Sequence, residues 1–131
     1  PLTVYGKGEQ TRGYLNIKDT LQCLLLAAEN PAESGELKIY KQFVETFSVN
    51  QLASSVKETG SAMGLNVEVK CIDNPRKEME EHYYNPAHTG LLELGLEPNY
   101  LNESILKKIL EKVCLHKESI ISDRIFRGVK W

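Results

Sequence analysis

Two arginines, Arg12 and Arg76, stand where the chain could grip an anion. Arg12 follows a Gly6-Lys7-Gly8 turn and precedes an extended piece, and Arg76 follows Asn74-Pro75 at the end of a strand. A guanidinium is a planar fork that meets phosphate oxygens two at a time. Placed on loops at strand ends, one from each half of the chain, the pair could clamp a diphosphate. The competing reading is two surface arginines paired with neighbouring glutamates. Spacing alone favours that second reading, because surface ion pairs are common and weak.

The stretch around Arg76, "DNPRKEMEEHYYN" (residues 73–85), also carries acids, a histidine and two tyrosines. It does not have the spacing of a metal site. His82 and His88 are six residues apart, whereas helical zinc motifs place their ligands three or four apart. Runs of charge such as Glu78, Glu80 and Glu81 are usually solvated faces. Tyr14-x-x-x-Lys18 has the spacing of a tyrosine–lysine proton-transfer pair, but such a pair works on one helix. This segment reads as extended, and four residues of strand span about 13 Å. "GKGEQT" offers two glycines of a dinucleotide fingerprint, with Thr11 where the third should stand and no helix opening after it. The helix N-terminus that would hold a pyrophosphate is therefore missing.

The elements that must position these residues are short. The chain has 131 residues, enough for one domain. Its charge of −2, with both signs interspersed, gives no basic stripe for nucleic acid and no lysine-rich amphipathic segment for a membrane surface. The apolar run 23–28 is far short of a membrane span. Cys23, Cys71 and Cys114 are widely separated and odd in number, which reads as free thiols in a reducing compartment. The pattern predicts strands at 2–5, 14–17, 36–40 and 65–72. It predicts a helix over 20–29 capped by Asp19 with Gln22, with Leu21, Leu24, Leu25 and Ala28 at helical spacing and its end at Asn30-Pro31. A second helix starts at a Ser48-x-x-Gln51 box, with a stripe of Leu52, Val56 and Met63. A short helix runs from Asn85-Pro86 to Leu94 and stops at Gly95. Asn102 caps the last long helix, whose stripe is Ile105, Leu106, Ile109, Leu110 and Val113, and His116 is expected near its C-terminal dipole. The order predicts a small α/β assembly with a thin core, more natural as part of something larger.

"PLTVYGKGEQTRGYLNIKDTLQCLLLAAENP" resembles a segment of the extended short-chain dehydrogenase/reductases, the NAD-dependent epimerase/dehydratase family. The pattern there is Pro-Leu-x-Val-Tyr-Gly-x-Gly-x-Gln-x-Arg, then an aromatic, then Asp before a helix. The likeness extends through "FSVNQLA" and "NPRKEMEEHYYN…LLELGLEP", to about residue 101, and is specific at 10–19 and 74–85. These versions are similar to the branch that converts UDP-glucose and a sulfite donor into a sulfonated UDP-sugar, the headgroup donor of a sulfolipid. The resemblance implies a single C-terminal substrate-binding portion over 1–131, an α/β piece with short strands, several helices and an incomplete Rossmann domain. Lys41 departs from the Tyr-Asn that many relatives carry here.

By the same resemblance, Arg12 and Arg76 match the diphosphate-binding arginines, Tyr5 the aromatic that flanks the base, and Gln10 lies beside it. Among the acids after Arg76, Glu80 is preferred for the ribose, with Glu78 and Glu81 open. NAD would be held by an upstream part that this chain lacks, together with the proton-transferring residues, so no residue here is catalytic and the chain alone is expected to be inactive. NAD in that family oxidises the sugar at C4, water leaves across C5 and C6, sulfite adds, and the hydride returns. The partner is a UDP-sugar, with a homodimer possible in the whole enzyme; a plant or algal source implies a plastid and a prokaryote the cytoplasm. The alternatives are another nucleotide-sugar epimerase or dehydratase of the same superfamily, or a non-catalytic binding module.

Overall fold

The computed structural model describes residues 2–74 and 89–121. The element order is β1 (Leu2–Tyr5), β2 (Thr11–Tyr14), α1 (Ile17–Glu29), β3 (Glu45–Ser48), α2 (Val49–Ala62), β4 (Val69–Ile72), α3 (Gly90–Glu93), α4 (Glu103–Leu115) and a 3-10 turn at Lys117–Ser119. It is a mixed α/β fold of short strands and several helices, as the sequence pattern predicts. The chain divides into two compact units.

The first unit comprises Pro1–Gln10, Ser48–Glu81 and Asn102–Trp131. Its sheet is a parallel pair, β1 with β4, in the register Leu2↔Val69 to Tyr5↔Ile72. Parallel neighbours need a crossover, and α2 leads directly into β4. Ser48 and Gln51 form the expected reciprocal box, with the Ser48 hydroxyl accepting from the Gln51 N–H and the Gln51 amide oxygen accepting from the Ser48 N–H. The helix ends at Gly64, whose φ of +77° suits glycine. The core joins Val4 of β1, Ala53 and Thr59 of α2, and Leu106 of α4. Gly60 lets Val67 approach so closely that a Cβ would lie 2.5 Å from Val67 Cγ2. The strand is shorter than the predicted 65–72, with pairing starting at Val69. Asn102 caps α4 by accepting from the Ile105 N–H, as predicted. Of the predicted α4 stripe only Leu106 is buried, and Ile109 and Val113 are half-exposed.

The second unit comprises Thr11–Phe47 and His82–Leu101. Strands β2 and β3 pair, and Tyr14 and Phe47 bring their rings to 5.8 Å, tilted. Three expectations are corrected here. The strand predicted at 14–17 lies at Thr11–Tyr14, because Asn16 in extended geometry caps α1 by accepting from the Lys18 N–H. Asp19 is consequently not the cap but the third helical residue, fully buried. The strand predicted at 36–40 is absent; Leu37 and Ile39 are largely exposed, and the strand forms at Glu45–Ser48. Strand formation follows the available partner more than local alternation. The apolar stripe of α1 is itself exposed in this chain, with Leu21, Leu24 and Leu25 58–64% exposed.

Side chains hold this unit together where hydrophobic burial is thin. The Asp19 carboxylate accepts from both the backbone N–H and the side-chain amide of Asn99. Gln22 donates to the Glu97 carbonyl at 3.1 Å and so spends its amide on the 97–101 segment as well as on Asp19. Glu45 of β3 accepts from the Leu101 N–H at 2.7 Å. Phe43, Leu91 and Leu96 supply the buried apolar contacts. The short helix α3 covers only the end of the predicted 85–94 helix within the described residues, and Gly95, at φ +101°, ends it as expected.

Candidate functional site

Tyr5 is the last residue of β1, at the carboxyl end of a parallel strand pair, where open α/β sheets commonly bind ligands. It is 43% exposed. The chain then turns sharply. Gly6 and Gly8 both adopt positive φ, +63° and +69°, a conformation that glycine takes without the steric cost of a Cβ. The Gly6 N–H donates to the Ile72 carbonyl at 2.8 Å, extending the β1–β4 ladder one step past Tyr5. On its other side the turn meets the first turn of α2. The Asn50 side chain donates to the Lys7 carbonyl at 2.8 Å, and the Asn50 backbone N–H donates to the Gly8 carbonyl at 3.0 Å. A Cβ on Gly8 would collide with the Asn50 amide and with Val4 Cγ1. Gln10, half-buried, leaves this turn two residues later.

Arg12 belongs to the second unit and is the second residue of β2. It therefore stands inside a strand, not on a loop as the sequence suggests. It is half-buried, and its guanidinium donates to the Thr11 carbonyl at 3.0 Å among its interactions. Beside it, Gly13 lets the Phe43 ring lie where a Cβ would come within 2.6 Å. Arg76, Glu78, Glu80, Glu81, His82, Tyr83, Tyr84 and His88 lie outside the described residues. What can be stated of their approach is that β4 ends at Ile72, beside Tyr5, four positions before Arg76.

The glycine turn does not fit NAD. After Gly8 the chain enters strand β2 and opens no helix, so this turn lacks the helix N-terminus that would receive a pyrophosphate. Tyr14 closes β2 while Lys18 lies in α1, so the two do not share the helix a proton-transfer pair needs. Among the described residues no group of three or more His, Cys, Asp or Glu could hold a metal ion, and no helix is long and apolar enough to cross a membrane. Shallow hollows occur among the described residues. One of about 300 Å3 lies between α2 and α4 by Thr59, Met63 and Lys107; one of about 140 Å3 lies by Tyr40, Gln42 and Gly90. None of the predicted site residues lines either. Cys23 holds its proton above the usual thiol range, first through burial and second through the Asp19 carboxylate one turn away.

Asn50 is the site feature that motif reading missed. Asparagine is a poor residue inside a helix, because its amide competes for backbone partners. Its place at the second helical position, inside a box that Ser48 and Gln51 complete without it, was the available signal that its side chain serves something other than α2.

No protein-family model matches the chain. Curated relatives do, two of them UDP-sulfoquinovose synthases. The chloroplastic UDP-sulfoquinovose synthase of Spinacia oleracea is 50% identical over all 131 residues, and the UDP-sulfoquinovose synthase of Sulfolobus acidocaldarius is 51% identical over 98 residues. The chain spans about a quarter of the length of these relatives, 27% and 25%. Among solved structures, a UDP-N-acetylglucosamine 4-epimerase from Methanobrevibacter ruminantium, in complex with UDP-N-acetylmuramic acid, matches with TM-score 0.67 and 18% identity, over 88% of this chain and 35% of that one. A UDP-glucose 4-epimerase from Thermotoga maritima, solved with UDP-glucose, matches with TM-score 0.64 and 26% identity, over 86% and 35%. The chain is thus similar, along its whole length, to the C-terminal part of the UDP-sulfoquinovose synthases, within the superfamily of nucleotide-sugar epimerases.

Proposed function

We propose that this chain is the nucleotide-sugar-binding part of an NAD-dependent enzyme that makes UDP-sulfoquinovose from UDP-glucose and a sulfite donor. The observation that carries the reading is the 50% identity to a UDP-sulfoquinovose synthase over the full length of the chain. In this reading Arg12 and Arg76 pair with the diphosphate, Tyr5 stacks on the uracil, Gln10 binds beside it, and Glu80 accepts from the ribose hydroxyls. NAD, when bound, supplies reversible oxidation of the sugar; it is held by a part of the protein outside this chain, and the chain alone is inactive. The fold supports that division. A two-stranded parallel sheet is a fragment of the buried parallel sheets that dinucleotide-binding domains use, and its strands here keep Val69 and Cys71 exposed. The whole enzyme works in the plastid in a plant, as the chloroplastic spinach relative suggests, or in the cytoplasm of a prokaryote.

The structural neighbours favour one other reading, a UDP-sugar 4-epimerase. Incubating the full-length protein with UDP-glucose, with and without sulfite, separates the two. A sulfonated UDP-sugar that forms only with sulfite supports the synthase. UDP-galactose formed without sulfite, and no sulfonated product, supports the epimerase.

A further inference from the structure

We propose that Asn50 is a positioning residue for the nucleotide sugar: it fixes the Gly6-Lys7-Gly8 turn and thereby the places of Tyr5 and Gln10 on either side. The inference rests on the binding role given above to Tyr5 and Gln10. Its basis is a division of labour at the start of α2. Ser48 and Gln51 complete the helix's own cap, each satisfying a backbone N–H of the other. The Asn50 amide takes no part in that box. It reaches instead to the Lys7 carbonyl, 43 residues away in sequence, while the Asn50 N–H takes the next carbonyl, that of Gly8.

The turn needs such a tether. Two glycines at positive φ make it the most permissive piece of backbone between β1 and β2, and glycine loses more conformational freedom on ordering than any other residue. The Gly6 N–H bond to Ile72 holds the turn's entrance, and Asn50 holds its apex and exit. Gly8 is buried beneath the Asn50 amide, against Val4, with no room for a Cβ. Without the amide, the Lys7 carbonyl turns to water and the segment from Gly6 to Gln10 must be ordered when the sugar nucleotide binds. That ordering is charged to affinity.

The test uses full-length protein, UDP-glucose titration by calorimetry, steady-state kinetics and thermal unfolding. Asn50→Ala favours the helix, and Asn50→Asp keeps the shape but cannot donate to Lys7. Both are expected to raise the Kd and KM for UDP-glucose about tenfold, with kcat and the unfolding midpoint close to those of the parent. Ser48→Ala, which removes the cap alone, lowers the midpoint and leaves Kd unchanged. The inference is overturned if both Asn50 variants bind like the parent, if Ser48→Ala weakens binding as much as they do, or if Asn50→Ala fails to fold. A parent protein that does not bind UDP-glucose overturns the binding reading itself, and the role of Asn50 with it.

Discussion

Asp19 shows how one side chain can organise a unit with little apolar core. Its carboxylate is fully buried and is satisfied by the Asn99 N–H, the Asn99 amide and Gln22. Asp19→Ala would leave two part-buried donors on Asn99 without their acceptor, at about 1 kcal/mol for each. Urea denaturation should show that loss, whereas Lys18→Ala, one residue away and exposed, should be near neutral. Burial first, and the Asp19 carboxylate second, raise the pKa of Cys23. Because the folded thiol keeps its proton at a pH where an unfolded thiol has lost it, this group favours the fold below the unfolded pKa. That contribution is lost as pH rises through the folded value. Alkylation of the three free thiols should accordingly label Cys71 and Cys114 first, with Cys23 last and only at higher pH. Labelling of Cys23 as fast as Cys114 would contradict this placement. Asp19 could be read in the sequence as a helix-start residue, but not as a buried acceptor. Its partner lies 80 positions away, and nothing in the spacing links the two.

At the scale of elements, local chemistry was legible and tertiary choice was not. The Ser48–Gln51 box, the Asn102 cap, the Asn30-Pro31 stop and the Gly95 stop all depend on neighbours within four residues, and all stand where the sequence indicates. The start of α1 shifted because two cap candidates, Asn16 and Asp19, compete three residues apart, and the buried bond to Asn99 takes Asp19 out of the competition. The strand expected at 36–40 forms instead at Glu45–Ser48, where β2 supplies a partner, and nothing in the local pattern marks that choice. Close packing on β2 gives an element-level prediction. Gly13→Ala places a methyl against the Phe43 ring and should destabilise the protein by about 1–3 kcal/mol, the usual cost of overpacking. Gly35→Ala, where a Cβ meets nothing, probes the positive φ alone. If Gly13→Ala unfolds at the parent's urea midpoint, the Gly13–Phe43 packing is not as described.

At the scale of the whole molecule, the candidate site is proposed from motif order more than from spacing. Arg12 and Arg76 are unremarkable as isolated arginines, and surface pairing was the better reading until "TVYGKGEQTR" gave Arg12 a context. The identity to the UDP-sulfoquinovose synthases extends that context along the chain, and the fold agrees with it. Charge and composition served mainly to set aside nucleic acid and membranes. The central proposal is that Arg12 and Arg76 hold the diphosphate of UDP-glucose. Titrating UDP-glucose into the full-length protein, and into its Arg12→Ala and Arg76→Ala variants, tests it most directly. The account predicts saturable binding by the parent and a Kd raised at least about tenfold in each variant, the scale of one lost charge-assisted contact. Binding that is absent in the parent, or equal in parent and both variants, would contradict it.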